Sequence, residues 1–182
     1  MAKKDRATKQ TVEAGSRPGL LSKLGISFSG SEGKGMKATD LLKQDHKRVK
    51  ELFSEYENVE SRSARRKEIV DEISRELEIH AQLEEKIFYQ SFKGARDEEP
   101  KKIVRESFEE HKIVKTLLSE LAAMTPSDEQ YDAKVTVLKE SVEHHVREEE
   151  GELFPAAEKK FSDEELERIA QLIGKARKEG RS

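Results

Sequence analysis

Four histidines and two glutamates stand where amphipathic helices should carry apolar residues, and that placement limits the folds open to this chain. They are His46, His80 with Glu84, His111, and His145 with Glu149. Twice the pair is spelled H-x-x-x-E, as HAQLE at 80–84 and HVREE at 145–149. Four residues is just over one helical turn, so each His and its Glu share a face, about 6 Å apart along the axis. Six such groups pointing into one interior are costly unless something neutralises and coordinates them. A pair of metal ions does both.

The helical period carrying these groups runs through four segments. The stripes are Leu42, His46, Val49, Phe53, Tyr56; then Ile73, Leu77, His80, Glu84, Ile87; then Val104, Phe108, His111, Val114, Leu118, Leu121; then Tyr131, Val135, Leu138, Val142, His145, Glu149. Thr39 is placed to cap the first, Gly94 to end the second, and Thr125–Pro126 to close the third, while Gly151 and Pro155 end or bend the fourth. Ser162 with Glu165 spells a capping box for a fifth helix reaching about Arg177. Short connections make neighbouring helices antiparallel. The expected fold is all-α: an up-down-up-down four-helix bundle with a short C-terminal fifth helix and a disordered N-terminal extension. The expected divisions are a basic extension at 1–36, the bundle at 37–160 and a C-terminal helix at 161–182. Each half of the bundle offers a lone His and then H-x-x-x-E, a two-fold pseudo-repeat around one site.

Composition agrees with long solvated helices: 40% of the residues are charged, 5% aromatic, and there is no Trp. The first 35 residues hold seven Lys or Arg and three acids, so the net −3 of the whole leaves −7 for the remainder. A negative body does not suit nucleic acid. The lack of cysteine removes disulfides, thiolate zinc sites and iron–sulfur clusters from consideration, and with no apolar run of membrane length the expected location is cytoplasmic.

Imidazole and carboxylate ligands suit Fe, Mn or Zn. Glu84 and Glu149, each one turn beyond a His, are the natural bridges between two ions. Two His per ion leave open positions for water, O2, NO or peroxide. Glu150 takes the place of Glu149 if the helix carries a π-type insertion. Glu85 and Glu150 read as solvated or as outer partners of the ligands, the rest of the Arg147–Glu152 run as solvated, His144 as a surface residue, and Tyr56 and Tyr89 as packing or outer hydrogen-bond donors. Lys115 either snorkels outward or offers a cation near the site. The competing readings of the set are a metal-free polar network and a single zinc site.

The segments DLLKQDHKRVKELF, EIHAQLEEKIFY, ESFEEHKIVKTLL and EHHVREEEGELFP resemble the hemerythrin-like, HHE cation-binding family over residues 38 to about 160. The resemblance implies a bundle holding two iron ions in an oxo- or hydroxo-bridged non-haem centre, with His46, His80, Glu84, His111, His145 and Glu149 as ligands. Oxygen-carrying members place a further His one turn after the third-helix ligand, where this chain has Lys115. The resemblance therefore points away from reversible O2 carriage, towards binding or sensing of O2, NO or redox state. Its alternatives are a diiron enzyme that consumes peroxide or oxidises ferrous iron, and a metal-free helical interaction module. The partners it implies are a small diatomic ligand or peroxide, and a protein reached through the N-terminal tail or the C-terminal helix.

Overall fold

The computed structural model describes residues 35–94 and 97–180. The expected disordered extension falls almost wholly on residues 1–34, outside the described residues. Six helices follow in order: α1 (Ala38–Glu57), α2 (Ala64–Leu83), α3 (Glu98–Ala122), α4 (Tyr131–Glu148), α5 (Phe154–Lys160) and α6 (Asp163–Gly180). Among the described residues there is no strand, and no helix is long and apolar enough to cross a membrane.

Local chemistry sets the helix ends. The Ser162–Glu165 box forms reciprocally, with Ser162 N–H donating to Glu165 Oε2 at 2.8 Å and Glu165 N–H to Ser162 Oγ at 3.3 Å. Ser63 caps α2 by accepting from Arg65 N–H. Thr39 does not cap α1. Lys37 N–H donates to Asp40 Oδ2 instead, and Thr39 lies buried inside the helix with its hydroxyl on Glu158 Oε1 at 2.9 Å, tying α1 to α5.

Helix α1 packs chiefly on α2, and α3 on α4, so the bundle is two antiparallel hairpins face to face; α6 lies across α1 and α2. The apolar interior falls into two clusters. One holds Leu41, Leu42, Phe88, Phe92, Leu153 and Phe154 with the inner face of α6; the other holds Leu52, Phe53, Ile69, Ile73, Leu121 and Leu138. Between them on the four long helices lies the layer of His and Glu. At the far end Arg66 is buried, donates to Val59 O, pairs with Asp132 at 2.7 Å and stacks on Tyr56, whose hydroxyl also reaches Asp132. Tyr56 therefore belongs to this clamp and not to the site.

Three stretches depart from the α period, two π turns and a 3-10 turn at Tyr89–Phe92 that follows the first of them. Glu84–Phe88 and Glu149–Leu153 form π turns, closed by Tyr89 N–H on Glu84 O and Phe154 N–H on Glu149 O. Each absorbs an extra residue and re-aims the stripe beyond it. After Glu84 the buried positions are Phe88, Tyr89 and Phe92, with Ile87 only partly covered. Gly151 does not end the fourth helix, which continues through its π turn into α5 with Pro155 in the first turn, where a missing N–H costs least.

Leu52 is fully buried, whereas Leu172 is 56% exposed. Leu52→Ala should lower the unfolding free energy by about 2–5 kcal/mol, through lost transfer energy and the cavity left behind. Leu172→Ala should stay within about 0.5 kcal/mol of wild type. Urea denaturation of the two variants checks the contrast.

Candidate metal centre

Six carboxylate and imidazole groups meet in the layer between the two apolar clusters, all of them buried: His46, His80, Glu84, His111, His145 and Glu149. These are the six marked out by the sequence pattern. The imidazoles pair within hairpins, His46 Nε2 to His80 Nε2 at 3.1 Å and His111 Nε2 to His145 Nε2 at 3.2 Å. Glu84 and Glu149 lie between the pairs. Glu84 Oε1 is 3.2 Å from His80 Nε2, and its Oε2 is 3.4 Å from His111 Nε2 and 3.9 Å from His145 Nε2. Glu149 Oε2 is 3.3 Å from His46 Nε2 and 3.5 Å from His145 Nε2. The donor atoms fall into two sets, one from His46, His80, Glu84 and Glu149 and one from Glu84, His111 and His145, each within 4.8 Å.

Every imidazole is held from behind by a carboxylate at Nδ1. Glu150 Oε1 meets His46 at 2.8 Å, Asp45 Oδ2 meets His80 at 3.4 Å, Glu85 Oε1 meets His111 at 2.9 Å and Glu110 Oε2 meets His145 at 2.8 Å. A proton kept on Nδ1 by such a partner leaves the Nε2 lone pair facing inward. Four lone pairs then converge with two carboxylates, and Glu84 Oε1 and Glu149 Oε2 are left without a hydrogen-bond donor. Unsatisfied groups of this kind cost about 1–3 kcal/mol each. A proton shared between two Nε2 atoms relieves only part of this, whereas a cation satisfies both nitrogens and the carboxylate oxygens together. The residues present fit a metal.

The electrostatics say the same. Burial alone would lower the His80 pKa, but Glu84 and Asp45 outweigh it and push it up to about 10. His145 is raised well above its ordinary value against the same opposition from burial, by Glu149, Glu110 and Glu84. Glu84 is held well below the usual carboxylate range although burial opposes this, because His80, His111 and His145 surround it. The pocket favours positive charge at the inner nitrogens.

Of the four outer carboxylates the sequence marks only Glu85 and Glu150 as candidates for an outer role; Asp45 and Glu110 carry no such mark, although each sits beside a ligand candidate in the chain. Each also reaches across the structure: Asp45, next to His46, serves His80, and Glu110, next to His111, serves His145. Glu85 and Glu150, expected as solvated or outer residues, take the outer role and serve the histidines of the opposite hairpin. Despite its π turn the fourth helix keeps Glu149 inward, and Glu150 takes the outer place. Tyr89, expected as packing or an outer donor, puts its hydroxyl between the two inner carboxylates, 2.7 Å from Glu149 Oε1 and 3.2 Å from Glu84 Oε2. Burial and the two carboxylates push its pKa well up, so it stays a donor. Lys115 does snorkel, and its ammonium is bound to Glu85 Oε1 at 2.7 Å. His144 is on the surface as expected, 56% exposed.

The halves repeat in register. Each histidine pair is 34 residues apart, and each group of the second half lies 65 positions after its counterpart: 46 and 111, 80 and 145, 84 and 149. Position 89 corresponds to 154. Tyr89 stacks on His111 with ring centroids 5.9 Å apart, and Phe154 stacks on His46 at 5.7 Å. Phe88 and Phe108 lie one layer further out, against Phe154 and Tyr89, and Phe53 lies in the far cluster.

Residues 37–157 match the Hemerythrin HHE cation binding domain. A DNA nickase of Nostoc sp. is 31% identical over 144 residues, 78% of this chain but only 39% of that protein. An uncharacterized hemerythrin-like protein of Schizosaccharomyces pombe is 28% identical over 77% of this chain and 68% of its own length. The crystal structure of a hemerythrin HHE cation binding domain-containing protein from Mycobacterium kansasii superposes with a TM-score of 0.69 at 27% identity, covering 79% of this chain and 86% of that one. With its bundle, its buried His and Glu layer and the match over most of its length, this chain belongs to the hemerythrin HHE cation-binding family.

Proposed function

We propose that the protein holds a non-haem diiron centre on His46, His80, Glu84, His111, His145 and Glu149, and uses it to bind or sense O2, NO or redox state. The observation carrying the diatomic part is a cavity of about 30 Å³ lined by the four imidazoles and by Val49, Leu77, Val114, Leu118, Val142 and Val146, with Asp45, Glu78 and Lys115 also on its wall. About 10–15 Å³ suffices for one water, so this space admits a molecule of two heavy atoms and little more. Its largely apolar wall suits a neutral ligand. When bound, iron would supply reversible coordination of such a ligand and a change of oxidation state.

Charge supports two ions rather than one. Six carboxylates contact the four imidazoles, and the basic side chains directly bound to them are Arg177 on Asp45 and Lys115 on Glu85. With neutral rings, four negative charges are left, which two divalent ions balance. The protein's share of the work is to fix the imidazole tautomers through the outer carboxylates, hold Glu149 through the Tyr89 hydroxyl, and keep bulk water from the cavity. Lys115 lines the cavity and is paired with Glu85. Strand nicking is not carried over from the Nostoc relative, since residues 36–182 are net negative and DNA binding rests on neutralised phosphates.

Protein from iron-supplemented cells should contain close to two irons per chain by elemental analysis, and His80→Ala should lose most of it. A folded wild-type protein without metal would overturn the reading in favour of a metal-free module. Chelation should lower the melting temperature, because a ligand at 100 times its Kd adds about 2.7 kcal/mol of stability. At about 2–4 °C per kcal/mol for a chain of this size, that is roughly 5–10 °C.

The cavity makes a separate prediction. Val114→Phe should fill it while leaving the ligands in place, at a packing cost of about 1–3 kcal/mol. Iron content should hold, and stopped-flow absorbance should show NO or O2 combining about tenfold more slowly or more weakly. Unchanged kinetics in an iron-replete variant would place the ligand elsewhere.

A further inference from the structure

Each outer carboxylate brings a negative charge to the rim of the centre, and three of the four have basic neighbours. Asp45 is met by Arg177 at 2.5 Å, and Glu85 by Lys115 at 2.7 Å. Glu150 faces Lys43 and Lys50 across the cleft between α1 and α4. Among the described residues no Lys or Arg pairs with Glu110. Its Oε2 holds His145 Nδ1 at 2.8 Å, and its Oε1 lies 3.3 Å from His144 Nε2, which is itself 3.4 Å from Glu148 Oε1.

The pseudo-repeat shows what is unusual here. Set back by 65 positions, Glu110, His144 and Glu148 correspond to Asp45, Ile79 and Leu83. In the first half those two apolar residues pack in the cluster beneath α6, and α6 delivers Arg177 to Asp45. In the second half, among the described residues, no arginine reaches Glu110, and the positions of Ile79 and Leu83 are taken by a histidine and a glutamate beside it. They repeat the H-x-x-x-E spacing of the buried pairs, one turn apart on α4, while Glu110 comes from α3. The three donor atoms lie within 4.8 Å of one another.

We infer that Glu110 Oε1, His144 Nε2 and Glu148 Oε1 form an exterior site for a divalent cation, which supplies at Glu110 the charge that Arg177 supplies at Asp45. One imidazole with two carboxylates suits Zn²⁺, Fe²⁺ or Co²⁺ better than Mg²⁺ or Ca²⁺. His144 is 56% exposed and Glu148 33% exposed, so water completes the coordination and the ion exchanges with solvent. Glu110 is only 19% exposed and places one oxygen on the exterior site and the other on His145. An ion outside is therefore one carboxylate away from the buried centre.

The test is equilibrium dialysis of full-length protein against Zn²⁺, with zinc and iron measured in the same samples, for wild type, His144→Ala and Glu148→Gln. None of the six buried ligand positions changes, and circular dichroism checks that each variant is folded. Wild type should bind one more Zn²⁺ per chain than His144→Ala. Glu148→Gln should bind it about tenfold more weakly, as loss of one charged ligand implies. Equal uptake by wild type and His144→Ala would overturn the inference and leave the three residues as an ion-paired surface cluster. The result is a difference between proteins with the same interior, so it holds whether the buried centre carries two ions or none.

Discussion

Everything in this bundle is organised around a layer of polar groups that a helical core would otherwise reject. Two carboxylates and four imidazoles lie between two apolar clusters, with Glu84 and Glu149 at zero exposure. An unpaired buried charge costs several kcal/mol, so the layer is tolerable only if its groups are answered, by one another, by protons or by a cation that the donor sets are spaced to hold. The outer carboxylates, Tyr89 and the π turns each serve that requirement. The apolar clusters on either side exclude water and raise the strength of every interaction inside. The layer decides where the core may be continuous, and the core decides how strongly the layer acts.

The π turns connect backbone to chemistry. In an α-helix the residue one turn beyond Glu84 would be Phe88; the extra residue puts Tyr89 there instead, with its hydroxyl on Glu84 and Glu149. The same insertion after Glu149 brings Phe154 over His46. Both turns also turn Glu85 and Glu150 towards the opposite hairpin, where each holds a histidine. One local irregularity, used twice, thus fixes an inner carboxylate, an aromatic wall and an outer hydrogen bond. A regular helix would offer two of these at most from the same face.

The all-α bundle, its four stripes and the six inward groups were legible in the sequence because a polar residue on an apolar stripe is visible at the helical period. Thr39 was misread as a cap because the signal for capping is a residue type, and a buried threonine answering Glu158 has the same type. The π turns left no mark in composition, so the switch from Ile87 to Phe88 and Tyr89 was not foreseen. Glu85 and Glu150 were legible as candidate outer residues, but Asp45, Glu110 and the histidine that each of the four serves were hidden for a different reason. Asp45, Glu85, Glu110 and Glu150 each neighbour one inner group and bond to another 26 or more residues away. Adjacent charges in a chain that is 40% charged carry no message; only the repeated order acid–His and Glu–Glu, read once the two halves are set in register, would have shown them.

The repeat is also where the two halves become chemically unequal. Tyr89 gives a hydrogen bond to Glu149 Oε1, while its counterpart Phe154 has no hydroxyl to offer. Glu149 therefore presents one oxygen to both hairpins, and Glu84 divides its two oxygens between them. The second set of donors is a histidine pair with Glu84, the first a histidine pair with both carboxylates. Arg177 reinforces this from outside by neutralising Asp45 behind His80, and among the described residues no arginine stands behind His145. A symmetric ring of ligands would give two identical positions. Here the environment separates the two sets, both in the carboxylates that each receives and in the charge that stands behind its histidines.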